Sequence, residues 1–97
     1  MVFSVTGSAP EGVDITYGTD NSNLTGGALP WTASLPLDNS GATLHYDVSA
    51  QLQGPDGSIA CSISIGGTVI SSGMAIGDYN ICSAQIGQNF SGGWVSE

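Results

Sequence analysis

Apolar and polar positions in this chain alternate with a period of two. Nowhere do apolar residues recur at i, i+3, i+4, i+7 without a Gly or Pro interrupting them, so strands organise the fold. The clearest strand is Thr43 to Gln53, where Leu44, Tyr46, Val48, Ala50 and Leu52 alternate strictly with His45, Asp47, Ser49, Gln51 and Gln53. One face of that strand belongs to a core and the other to water. Shorter runs repeat the signal: Val2 to Thr6, stopped by Gly7 and Pro10; Val13 to Tyr17, with Val13, Ile15 and Tyr17 on one face; and Trp31 to Leu35, bounded by Pro30 and Pro36 as an edge strand would be. After the turn Gly54-Pro55-Asp56-Gly57, residues Ile59, Cys61, Ile63 and Ile65 mark the inner face of a further strand. Gly66-Gly67 is a two-residue hairpin turn leading into Thr68 to Ser72, a register that places Ile63 opposite Ile70. A last strand is expected from about Tyr79 to Ile86, with Cys82, Ala84 and Ile86 sharing a face. Between the second and third runs, Gly18 to Gly27 reads as a long loop of turn-forming residues.

About seven short strands at this spacing, with two inward cysteines on separate strands, describe an all-β fold: an immunoglobulin-like antiparallel β-sandwich with one disulfide. A small barrel is the alternative. Immunoglobulin domains proper place a core Trp between the cysteines and a Tyr two before the second. Here Trp31 precedes both cysteines and Tyr79 stands three before Cys82. The 97 residues make one domain, 1–97, whose core is small enough to profit from a covalent staple. Cys61 and Cys82 read as that staple, closing a loop worth about 3 kcal/mol and pointing to an exported home. The competing readings are two buried reduced thiols and, weaker, a metal site, for which two Cys and one distant His supply too few ligands.

Charge narrows the functions open to the chain. Its eight acidic side chains face no Lys or Arg at all, a formal charge of −8 at pH 7. About ten basic residues are usual at this length, so their complete absence calls for a cause such as selection or redesign. Nothing in the chain can neutralise phosphates, which excludes nucleic acid, nucleotides and anionic headgroups as partners. No apolar run reaches the 18 or so residues of a membrane span, so no direct membrane insertion is expected.

The residues that could carry chemistry do not converge. His45, Asp47 and Ser49 share one face of a strand, but positions i and i+4 lie about 13 Å apart there, too far for a Ser-His proton transfer. No pair of acids is placed for general acid–base work, and no catalytic residue is expected. Asp20-Asn21-Ser22-Asn23 offers oxygens that could bind calcium weakly but lacks the register of a calcium loop, and turn chemistry is the better reading. Gly26-Gly27 and Gly92-Gly93 open no helix and have no nearby Lys, so they cradle no phosphate. Asn23-Leu24-Thr25 and Asn89-Phe90-Ser91 match the N-glycosylation pattern. No metal and no cofactor is expected. Trp31, Phe90 and Trp94 are large apolar groups where core strands do not demand them; they either cover the ends of the sandwich or form a partner-contact patch.

One ordered set of motifs runs through nearly the whole chain: Val5-Thr6-Gly7, Val13-Asp14-Ile15-Thr16-Tyr17, Leu29-Pro30-Trp31, Ser49-Ala50-Gln51, Gly57-Ser58-Ile59-Ala60-Cys61-Ser62-Ile63, Gly77-Asp78-Tyr79-Asn80-Ile81-Cys82-Ser83-Ala84-Gln85 and Gly92-Gly93-Trp94. In order and spacing this set resembles the extracytoplasmic domain of MmpS-type transport accessory proteins of actinobacteria. The resemblance implies a β-sandwich closed by a Cys61–Cys82 disulfide, with Trp31 as a core or edge anchor. It also implies a non-catalytic accessory role beside RND-type exporters of lipids or siderophores. Members of the family are anchored to the cytoplasmic membrane by an amino-terminal helix that this sequence does not show, so Met1 is expected to mark a trimmed start or a soluble relative. They also carry lysines, and this chain has none.

The expected function is therefore that of a secreted or extracytoplasmic, non-enzymatic binding domain whose partner is a protein such as a membrane exporter. The alternative is a self-associating structural or surface protein, since its strand edges lack the Lys residues that usually discourage edge pairing. At neutral pH the charge of −8 opposes such association.

Overall fold

The computed structural model of the chain describes residues 1–19, 23–26, 29–36, 45–88 and 93–96. These residues form nine strands and no helix: β1 (Val2–Ser8), β2 (Val13–Thr19), β3 (Asn23–Gly26), β4 (Trp31–Ser34), β5 (His45–Leu52), β6 (Ser58–Ile65), β7 (Thr68–Ile76), β8 (Ile81–Gln88) and β9 (Trp94–Ser96). The strands make two antiparallel sheets, one of four strands in the order β4-β1-β6-β7 and one of five in the order β3-β2-β5-β8-β9. This is the two-sheet sandwich that the period-two pattern predicts.

The core lies between the sheets and is built from alternate residues of the long strands. In β5, Tyr46, Val48, Ala50 and Leu52 are buried, while His45, Asp47, Ser49 and Gln51 face outward. Phe3 and Val5 of β1, Ile59, Cys61 and Ile63 of β6, and Cys82, Ala84 and Ile86 of β8 fill the rest of the inner layer with Ile15 and Ala75. The Cys61–Cys82 disulfide crosses the core from the first sheet to the second, with Cα atoms 5.8 Å apart. Gly66 and Gly67 take positive φ angles of 60° and 83°, as a hairpin turn with this chirality requires.

Four expectations change. Part of the Gly18–Gly27 stretch is strand rather than loop, because β2 runs on to Thr19 and β3 pairs with it from Gly18↔Asn23 to Ile15↔Gly26. The tail adds β9 on the outer side of β8. The strand after the hairpin does not stop at Ser72 but continues to Ile76. Ile63 faces Ser71, not Ile70, because a bulge between Ile63 and Ser64 inserts one residue and shifts the register beyond the Ile65↔Thr68 pair. The bulge turns the Ser71 hydroxyl inward, where it accepts the Gln85 N–H (3.2 Å) and the Ser96 hydroxyl (3.1 Å), bridging the two sheets along one side. Gly73 completes that seam: a Cβ there would collide with the Ser83 carbonyl, so the absence of a side chain lets β7 and β8 approach.

The connections β1–β2, β5–β6 and β7–β8 each pass from one sheet to the other. They stack at one end of the sandwich. Gln53 N–H donates to Gly12 O (3.1 Å), and the β7–β8 connection bonds in turn to residues 54–57. Gly54-Pro55-Asp56-Gly57, read as a turn, is thus the middle layer of a three-layer corner.

Candidate binding site at the β7–β8 corner

The outermost layer of that corner has an uncommon backbone. Gly77, Asp78 and Tyr79 take consecutive φ values of 57°, 53° and 58°, one turn of left-handed backbone. For the two non-glycine residues this conformation costs about 1–2 kcal/mol each. Gly77 is required at the first position, since a Cβ would sit 2.9 Å from the Pro55 carbonyl. The cost is offset by hydrogen bonds to the neighbouring layer: Gly77 N–H to Gly57 O (2.9 Å), Asp78 N–H to Pro55 O (3.0 Å) and Tyr79 N–H to Gly54 O (3.0 Å). Three more fix the exit of the turn. Asn80 donates through its N–H to Gly77 O (3.0 Å) and through Nδ2 to Ile76 O (2.8 Å), and Leu52 N–H donates to Asn80 O (3.0 Å). Gln51 Nε2 adds a bond to Tyr79 O (3.2 Å).

This rigid turn presents apolar side chains to solvent. Ile76 is 67% exposed, Tyr79 55% and Ile81 58%, beside Met74 at 71%. Met74, Ala75, Ile76, Asn80 and Ile81 line a shallow depression of about 430 Å³ where the edges of the two sheets meet. Three acids belong to the same corner. Asp78 lies in the turn and Asp56 in the layer beneath, both exposed. The Glu11 carboxylate rests against Gly54, where a Cβ would overlap it. Backbone strain concentrated at an exposed, tightly held turn is a feature of recognition sites more than of connecting loops.

The residues singled out from the sequence lie elsewhere. Cys61 and Cys82 are fully buried in the core. Trp31 opens β4 half-buried, its ring 4.7 Å from that of Tyr17, which in turn lies 5.4 Å from Phe3. Phe3 is 6.4 Å from Tyr46 and Tyr46 is 5.2 Å from the half-buried Trp94, so the two indoles bracket a continuous chain of rings. Trp94 pairs with Gln88, at the opposite end of β8 from Ile81. Phe90 lies outside the described residues, as do Asp20, Asn21 and Ser22 of the oxygen-rich segment, the second glycosylation match and Gly92. Asn23 opens β3.

His45, Asp47 and Ser49 occupy alternate outward positions of β5, as the period-two pattern requires. Asp47 stands between Gly18 of β2 and Gln85 of β8, and burial raises its carboxyl above the ordinary aspartate range. Among the described residues no three His, Cys, Asp or Glu side chains group as metal ligands would. No helix among them is long and apolar enough to cross a membrane.

No family model, curated protein or solved structure matches this chain. The family resemblance accordingly rests on the motifs themselves. The corner is inconspicuous in the sequence because Ser72 resembles a strand end and Tyr79 the start of the next strand. The continued alternation Ser72, Met74, Ile76, followed by the turn-forming Gly77-Asp78, is the signal that points to it.

Proposed function

We propose that this is a non-catalytic extracytoplasmic binding domain that docks its β7–β8 corner onto a protein partner, as an accessory to an RND-type exporter of lipids or siderophores. The observation that carries the reading is the exposed Ile76–Tyr79–Ile81 cluster on a turn held by a dense set of hydrogen bonds. Aromatic and aliphatic anchors on a rigid support bind with little ordering cost and are the usual centres of protein interfaces. Asp78 in the turn and Asp56 in the layer beneath it suit a partner with a basic rim, and a chain without Lys or Arg supplies no competing cation of its own. An extracytoplasmic setting is supported by the core disulfide, because such bonds persist in oxidising compartments. The exporter as partner is supported by the resemblance of the ordered motifs to those of the accessory family.

The test is a pull-down from detergent-solubilised envelope with the oxidised domain immobilised, comparing the native chain with Tyr79→Ala and Ile81→Asp. Retention of a large polytopic exporter by the native chain, reduced at least about tenfold by either variant, is the expected result. Equal retention by all three would show that the corner is not the contact, and no exporter in any eluate would rule out the accessory role. Self-association is the second reading, favoured by the outer face of the first sheet, which carries no charged side chain among the described residues.

A further inference from the structure

We infer that the outer face of the first sheet, β4-β1-β6-β7, is a contact surface for a second copy of this chain, packed face to face across a two-fold axis. This deepens the self-association reading and rests on it; Met74 and Ile76 belong both to this face and to the corner depression, whereas Tyr79 lies in the β7–β8 turn, outside the face.

The register aligns hydroxyl side chains across all four strands: Thr32 of β4 faces Ser4 of β1, Ser4 faces Ser62 of β6, and Ser62 faces Ser72 of β7. Large apolar groups lie on the same surface. Met74 pairs with Ala60 and Ile76 with Ser58, and Val69 opposite Ser64 is 59% exposed, so β7 carries an apolar column along this face. Val2 of β1, 36% exposed, adds a further apolar group opposite Ser34 and Ser64.

Electrostatics select the occupant. Of the eight acids, Glu11, Asp14, Asp47, Asp56 and Asp78 lie in described residues. Asp14 and Asp47 stand on the second sheet, and the other three occupy the corner end. Two copies of charge −8 meeting through either of those surfaces would oppose carboxylates without any cation to compensate. The outer face of the first sheet is where copies can meet with no described charge opposed. A basic partner, by contrast, gains nothing from a neutral face.

The size of the surface sets the strength. Strands of 4, 7, 8 and 9 residues, at about 3.3 Å per residue and 4.8 Å per strand, give a planar footprint of about 440 Å² per copy. A pair then covers about 900 Å², the range of weak, reversible interfaces. Long-range repulsion between two acidic bodies adds to this, so association strengthens with salt, opposite to the behaviour of an acidic corner on a basic partner.

Sedimentation equilibrium on the oxidised chain at about 0.05 and 0.5 M salt tests the inference. Ser62→Asp places a charge at the centre of the face, Ser72→Asp places one on its margin, and Ser83→Asp adds the same charge to the outer face of the second sheet; a thermal melt shows that each is folded. A reversible dimer that tightens with salt, weakens about tenfold or more in Ser62→Asp or Ser72→Asp, and is unchanged in Ser83→Asp is expected. A monomer at all concentrations up to about 1 mM in high salt would overturn the inference. So would equal weakening by all three variants, which would reveal a net-charge effect rather than a face. Tyr79→Ala leaves the dimer intact whether or not it loses the exporter, which separates failure here from failure of the accessory reading.

Discussion

Replacing both cysteines by alanine, Cys61→Ala with Cys82→Ala, removes the one covalent tie between the two sheets. The bond spans 21 positions of sequence, a loop whose closure in the unfolded chain stabilises the native state by about 3 kcal/mol on the chain-entropy model. Both sulfurs are buried, and deleting them leaves small voids that add about 1 kcal/mol. For 97 residues the unfolding entropy at the midpoint is about 0.2 kcal/mol/K, so a loss of about 4 kcal/mol lowers Tm by about 20 °C. Thermal melts followed by circular dichroism measure this directly, with the native chain in reductant as an independent route to the same open state. The urea m-value is expected to rise as well, because the unfolded chain without its cross-link exposes more surface. A Tm within about 5 °C of the oxidised protein in both experiments would refute the view that this bond holds a small, marginal core together.

Two further outcomes follow from the seam and from the second sheet. Gly73→Ala drives a Cβ into the Ser83 carbonyl and is expected to lose about 2–3 kcal/mol in chemical denaturation, whereas Ser72→Ala beside it, on the exposed face, changes stability by less than about 0.5 kcal/mol. Asp47 has a folded-state pKa above its unfolded value, so the native state holds the proton more tightly and this residue's contribution to stability falls as pH rises through the window between the two. Asp47→Asn is therefore expected to raise Tm at pH 7 and to leave it unchanged in acid below both values, as melts across the pH range would show.

The strands with the strictest alternation are legible in the sequence alone. His45 to Leu52 buries every second residue because its apolar set has only one face on which to lie, and Cys61 and Cys82 follow inward from their own alternation. The short edge strands are not legible in this way: the pairing of Asn23–Gly26 and Trp94–Ser96 comes from long neighbours, β2 and β8, and not from any pattern of their own. The bulge that brings Ser71 inward is equally hidden, since its compensation lies in a backbone N–H fourteen residues away. The corner is hidden for the same reason. Asp78 and Tyr79 adopt left-handed backbone because carbonyls of residues 54–57 receive their N–H groups, a tertiary cause that local propensity does not carry. Trp31 and Trp94 stand out in the sequence as bulky groups where core strands do not demand them, and the ring chain that partly buries them runs through Tyr17, Phe3 and Tyr46.

Docking through the corner is tested most directly by a photo-crosslinking amino acid placed at Tyr79 and, in a parallel chain, at Ser49 on the outer face of the second sheet, with irradiation in the intact envelope. A crosslink from position 79 to a polytopic exporter subunit and none from position 49 is the expected result. Crosslinks of equal yield from both positions, or from position 49 alone, would contradict it.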